Sequence, residues 1–219
     1  NNTAPKWPPL TAQYVDYTLW QRRPEQQARD NQELSYWRNT LLGDHRTNAT
    51  NTNNPTNLSS HYDDYCLLLP TDYHSKYVDK QSDTFEQSNR YQCDYQELAI
   101  PKALYEHIKA FSHQTQHTPF MIHMAVLHLL LHRYSQQDEV RVGMPVAGRH
   151  HPETHDMIGC FVNTVVIRSL QTHYQHHSFE QFVRYIGQTV IEAQEHQDVP
   201  FERIVEELVS SRDIDRSPL

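Results

Sequence analysis

His150 and His151 are adjacent and are followed in one short stretch by Glu153, His155 and Asp156. Neighbouring imidazoles with a carboxylate in reach can do general acid–base chemistry, one ring taking a proton from a nucleophile while the carboxylate fixes its other nitrogen. Pro152 inside the stretch supports a plainer reading, a polar turn. Asn163 is a polar residue in an apolar run, and such a side chain needs hydrogen-bond partners once buried. It suits a substrate amide or a neighbouring backbone group equally. Arg149 and Arg168 suit ion pairing with Asp or Glu, with substrate contact as a second role. His113 and His117, and the group His173, His176 and His177, raise the question of a metal. No H-E-x-x-H pattern accompanies them and their neighbours are Gln and Ser, so no metal site is expected.

Composition excludes several function classes. With 219 residues, 37 % of them hydrophobic, the chain can bury one sizeable core or part of a larger one. Cys66, Cys93 and Cys160 are far apart, odd in number and in no C-x-x-C pair, which argues against a disulfide framework and for a reducing cytoplasm. The net charge is -8 and no basic cluster interleaves with aromatics, so no nucleic-acid partner is expected. The longest apolar stretch, Phe120 to Leu131, is broken by His123 and His128 and is too short for a bilayer; it reads as a buried helix. Asn1 to Pro9 carry no secretory signal pattern. The five glycines form neither G-x-G-x-x-G nor a P-loop, so no nucleotide site is expected.

The elements that must position these residues follow from periodicity. Tyr14, Tyr17 and Trp20 fall on one side of a helix, and Leu34, Trp37 and Leu41 repeat that pattern over Asn31 to Leu42, with an end expected at Gly43. Asp44 to Ser60, rich in Asn, Thr and Ser, reads as a surface loop. Leu67 to Leu69 is a short apolar run, and Tyr91 to Ile100 predicts a strand. Pro101 opens a helix holding Leu104, Ile108 and Phe111, and Thr118-Pro119 opens another through about Arg133. Valines predict strands over Glu139 to Val146 and Phe161 to Leu170. Ser178 caps a long helix with Phe179, Phe182, Ile186, Val190 and Ala193 on one face, and a short helix runs from Pro200 to about Val209. Pro200, Phe201 and Glu202 suit its first turn, with Asp198 as a cap. Mixed strands and helices imply an α/β layered fold.

Four segments, in order, resemble signature motifs of nonribosomal peptide synthetase condensation domains. Tyr14-Val15-Asp16-Tyr17-Thr18-Leu19-Trp20 is similar to Y-x-D-[FY]-A-V-W, and Ile158-Gly159-Cys160-Phe161-Val162-Asn163-Thr164 through Arg168 to I-G-x-F-V-N-T-x-x-x-R. His196-Gln197-Asp198-Val199-Pro200-Phe201-Glu202 resembles [HN]-Q-D-x-P-F-E, and Arg212-Asp213-Ile214-Asp215-Arg216-Ser217-Pro218-Leu219 resembles R-D-x-S-R-[NS]-P-L with Asp215 in place of Ser. Gly143 to Arg149 and Leu131 to Ser135 also read like that family, so the similarity runs nearly end to end.

The resemblance implies a chloramphenicol-acetyltransferase-like two-layer α/β sandwich with a tunnel between two lobes. Residues 1–65 would be the end of the N-terminal lobe and the connector, and 66–219 part of the C-terminal lobe. It implies amide formation between carrier-bound acyl or peptidyl and aminoacyl thioesters. No cofactor would be bound directly; phosphopantetheine arrives on upstream and downstream peptidyl carrier domains, with an adenylation domain adjacent. The family's catalytic H-H-x-x-x-D-G belongs ahead of Tyr14, and the His150 to Asp156 stretch does not fit it: His155 stands where Asp belongs and Asp156 where Gly belongs. The catalytic histidine is therefore expected upstream of this chain and the isolated chain is expected to be inactive. Asn163, Thr164 and Arg149 are the tunnel or substrate-binding candidates. Tyr14, Asp16, Trp20, Gly159, Phe161, Arg168, Asp198, Pro200, Phe201, Glu202, Arg212 and Asp213 are expected to be structural. A noncatalytic carrier-docking module, or a related acyltransferase or epimerization domain of the same fold, is the alternative.

Overall fold

A computed structural model describes residues 9–48, 67–70 and 95–208. The chain enters through α1 (Tyr14–Gln21) and α2 (Pro24–Asn48). Pro24 stands at the first helical position, where its missing N–H is no loss, so α2 starts earlier than its apolar periodicity shows. It also runs past Gly43, correcting the expected stop. A glycine inside a helix costs only about 1 kcal/mol relative to alanine, less than ending a cooperative ladder already under way. The rest of the expected Asn-rich loop lies outside the described residues, as do 71–94 and the Arg212 to Leu219 motif.

Residues 95–100 are irregular, correcting the expected strand for the part that is described. Tyr95 and Leu98 are strongly exposed there, and the β ladder among the described residues joins two other segments. Then come α3 (Lys102–Thr115) and α4 (Pro119–Ser135), the latter capped by Thr118, whose hydroxyl accepts from the Met121 amide at 3.2 Å. Strands β1 (Glu139–Val146) and β2 (Asn163–Leu170) pair antiparallel, with Glu139 opposite Leu170 and Val146 opposite Asn163. Phe161 and Val162, expected at the head of β2, lie before it.

A short α5 (Thr172–Gln175) leads to α6 (Phe179–Glu195). Ser178 and Gln181 close a capping box there, the Ser178 amide donating to Gln181 Oε1 at 2.8 Å. Phe182, Val183, Ile186, Val190 and Ala193 are buried along α6, whereas Phe179 at its start is half-exposed against Phe111. The last described element is α7 (Phe201–Leu208), burying Ile204 and Val205.

One core joins the two ends of the sequence. Leu34, Trp37 and Leu41 of α2 cluster with Val165 and Ile167 of β2, the buried face of α6, and Ile204. Trp37 and Leu41 are completely buried, and the Trp37 indole N–H donates to the carbonyl of His196 at 3.1 Å. At the far end of the sheet, Glu139 accepts from Arg141 at 2.5 Å and Arg168 at 2.8 Å. The same guanidinium groups donate to the α2 carbonyls of Leu41 (2.8 Å) and Thr40 (3.0 Å). A largely buried charge cluster therefore holds α2 to both strands.

Candidate functional site

The segment 147–162 between the strands returns to meet α1, and this contact builds the site. Gly148 turns the chain at φ 62°, the left-handed region that glycine occupies without a side-chain penalty; a Cβ there would collide with the Phe161 carbonyl. Gly159 leaves space for the Tyr14 ring, whose hydroxyl donates to the Cys160 carbonyl at 2.9 Å. Phe161 then packs edge-on to Tyr14 (5.2 Å) and against Tyr17 (4.8 Å). The aromatic row continues through Trp20 to His151, with centroids 5.6 and 5.0 Å apart. Asp16 works within α1, accepting the Gln13 amide at 2.8 Å as the carboxylate of a capping box.

This aromatic row is one wall of a cavity of about 630 Å³. Opposite lie the first turns of α2 and residues 197–203. Asn163 stands on the cavity wall and holds that second segment: its amide nitrogen donates to the carbonyls of Gln197 (2.8 Å) and Val199 (2.7 Å), and its oxygen accepts the Phe201 amide at 3.0 Å. The Asn163 oxygen thus caps α7, the role expected of Asp198. Asp198 instead meets His150, Oδ1 to Nε2 at 2.9 Å.

Asp30 is buried on the α2 side between Gln26 (3.2 Å) and Arg203 (3.4 Å); burial, more than its partners, holds its carboxyl above the usual carboxylate range. Burial also pushes the Tyr17 hydroxyl up, and Asp198 adds to that. Glu202 and Pro200 complete this side. The cavity therefore offers flat aromatic faces beside amide, carboxylate, imidazole and guanidinium groups: surfaces for a partly apolar ligand with hydrogen-bonding groups.

Arg149 donates to the carbonyls of Thr154, Met157 (2.9 Å) and Gly159 (3.3 Å), with its guanidinium 4.2 Å from the Phe161 ring centroid. It shapes the loop behind the cavity. Thr164, paired with Pro145, follows on the strand outside the cavity lining. Arg168 sits in the charge cluster at the other end of β2. The His150 to Asp156 stretch is a turn containing a short 3-10 segment, Pro152–Thr154, but both of its leading histidines reach the cavity, and the carboxylate that meets His150 is remote in sequence. No spacing rule signals that pair. Among the described residues no trio of His, Cys, Asp or Glu is arranged to hold a metal, and no helix is long and apolar enough to cross a membrane.

A second polar group went unread in the sequence. His128 and His132, one turn apart on α4, are completely buried and share the Ser169 hydroxyl, at 2.7 and 2.9 Å. Their i, i+4 spacing on a helix that must pack was the available signal.

The condensation-domain family model matches residues 1–219. The chain is 32 % identical over 212 residues to a nonribosomal peptide synthetase, TES, of Alternaria alternata, and 31 % over 210 residues to gramicidin S synthase 2 of Brevibacillus brevis. It spans 4 % of the length of each while 97 % and 96 % of it are matched. The X-domain from teicoplanin biosynthesis superposes with TM-score 0.67 at 21 % identity, over 98 % of this chain and 42 % of that one. The condensation domain of the monacolin K polyketide synthase MokA gives 0.65 at 20 %, over 90 % and 40 %. The fold is shared over the part these solved chains have in common with it.

Proposed function

The chain belongs to the condensation-domain family of nonribosomal peptide synthetases, and from that premise we propose that it forms one side of the tunnel in which an amide bond is made. In this reading the amine of a downstream aminoacyl thioester attacks an upstream acyl or peptidyl thioester. The carbon–sulfur bond breaks as the carbon–nitrogen bond forms, and the proton lost by the amine balances the released thiol. The thioester supplies the driving force, so no nucleotide is required. The phosphopantetheine arms belong to partner carrier domains and enter as part of the substrates. Residues 1–65 would leave the N-terminal lobe of a chloramphenicol-acetyltransferase-like body and 66–219 would build much of its second lobe, with an adenylation domain adjacent in a cytoplasmic assembly. The proton acceptor is assigned to a histidine outside these residues.

The observation that carries the reading is convergence: residues of the segments Tyr14 to Trp20, Cys160 to Asn163 and Gln197 to Glu202, far apart in sequence, line one cavity. Asn163, Thr164 and Arg149 have graded roles in it. Asn163 is on the wall with its amide engaged by backbone, Arg149 supports the wall from behind, and Thr164 is adjacent.

The test is single-turnover transfer between loaded donor and acceptor carriers by the synthetase that bears this domain. Gln27 is exposed and lines the cavity, so Gln27→Trp fills space without disturbing the core. Transfer should fall on the order of tenfold or more while carrier loading is unchanged. Unchanged transfer would remove the cavity from the reaction and favour the docking-module alternative.

A further inference from the structure

The His128, Ser169 and His132 group lies away from the cavity, and its hydrogen bonds have a direction that can be deduced. His132 Nδ1 is 3.0 Å from the Gln137 carbonyl, which only accepts, so Nδ1 carries the proton. In the neutral ring Nε2 then holds a lone pair and accepts the Ser169 hydroxyl at 2.9 Å. With its single proton committed, the Ser169 oxygen is the acceptor for His128 Nδ1–H at 2.7 Å. His128 is thereby the Nδ1–H tautomer, the less common one in free histidine. Its Nε2 is a buried lone pair with no hydrogen-bond partner among the described residues.

We propose that these three side chains form a proton-taking relay whose hydrogen bonds reverse as a unit. One proton binds His128 Nε2. His128 Nδ1–H passes to Ser169, and the Ser169 proton passes to His132 Nε2. The net result is a neutral His128 of the Nε2–H form and an imidazolium at His132 that donates from both nitrogens. Nothing is lost or gained beyond the one proton taken up.

The surroundings decide where the charge rests. His128, on α4, is fully buried, and among the described residues the titratable group it faces is His132. Burial holds His132 below the usual imidazole range as well, but there the Gln137 carbonyl and the carboxylates of Asp138 and, on β1, Glu139 work back toward the charged form, while His173 on α5 opposes it. Tyr174 of α5 contributes a ring centroid 5.1 Å away, and Arg168 of β2 is committed to Glu139. The positive charge is therefore better accommodated on His132.

The experiment is two-bond nitrogen–proton correlation spectroscopy of the histidine rings in the 15N-labelled chain, from neutral pH down through the range where imidazole titrates. At neutral pH both rings should be Nδ1–H. On acidification His132 should become doubly protonated and His128 should change to the Nε2–H form with the same midpoint. Ser169→Ala, its fold checked by amide dispersion, should uncouple the two, whereas Ser169→Thr should restore the shared midpoint. An Nε2–H His128 at neutral pH would overturn the relay, as would separate midpoints in the unmutated chain or coupling that survives in Ser169→Ala. So would unfolding of the unmutated chain before any imidazolium appears in the folded state. The neutral-pH tautomer measurement needs no variant, so it decides the matter even if Ser169→Ala does not fold.

Discussion

Asn163 can serve the fold, the reaction or both, and substitution separates these. Its side chain makes three hydrogen bonds to the backbone of residues 197–201. Asn163→Ala leaves two carbonyls and one helix-terminal amide without it. At about 1 kcal/mol net per bond, with some additional cost for partners that water cannot reach, the loss is roughly 2–4 kcal/mol. For a domain of this size that lowers Tm by roughly 10 °C. Asn163→Asp is the sharper probe. It keeps an oxygen for the Phe201 amide but sets the second against carbonyls that now sit 2.7 and 2.8 Å from the amide nitrogen. Two acceptors at that distance disfavour the carboxylate, so its folded-state pKa should rise above the unfolded value. A carboxyl group with a raised folded pKa binds protons more tightly in the native state. The Asp variant should therefore be least stable, relative to the unmutated chain at the same pH, above that raised pKa, and regain stability as pH falls through it. Thermal and urea unfolding of the three proteins across pH reads both effects. An Asn163→Ala protein within about 0.5 kcal/mol of the unmutated chain would refute the reasoning and leave substrate contact as the residue's role.

Other consequences can be checked in the same way. Burial holds His128 down to about pKa 3 in the folded chain, so unfolding takes up a proton below about pH 6.5. Stability that is complete above that value should fall by roughly 2 kcal/mol between about pH 7 and about pH 5, and His128→Leu should flatten the urea-midpoint profile. Gly148→Ala places a Cβ against the Phe161 carbonyl at positive φ and should cost more than about 1 kcal/mol, with a near-ultraviolet change from the disturbed aromatic row. Glu139→Gln leaves two buried guanidinium groups without their carboxylate and should cost about 3–5 kcal/mol by denaturant titration, far more than Glu180→Gln in the exposed pair with Arg184.

Much of the fold is legible in local pattern. Valine-rich runs marked β1 and β2, and Ser178 and Thr118 marked the starts of α6 and α4, because strand propensity and capping act over a few residues. The convergence of the Tyr14, Gly159 and Phe161 segments could be expected only through resemblance, since periodicity carries no information about which loop meets which helix. Asn163 announced its need for partners, yet their identity depends on how residues 197–201 return across β2. The apolar run of α4 was misleading in detail: Leu127, Leu130 and Tyr134 are substantially exposed while His128 and His132 are buried. Hydropathy ranks side chains singly, and a hydroxyl placed between two imidazoles reverses the ranking.

The anchoring of α2 bears on exchanging pieces between synthetases. Its indole N–H and its carbonyls at Thr40 and Leu41 are bound by His196, Arg168 and Arg141, all from beyond residue 140. A chimera joined anywhere between α2 and β1 would unite this helix with foreign partners for all three bonds. Crossover points ahead of Tyr14 or beyond α7 would keep the whole lattice of one parent. Within the segment, a graft that carries Trp37 should also carry Arg141, Arg168 and the His196 turn.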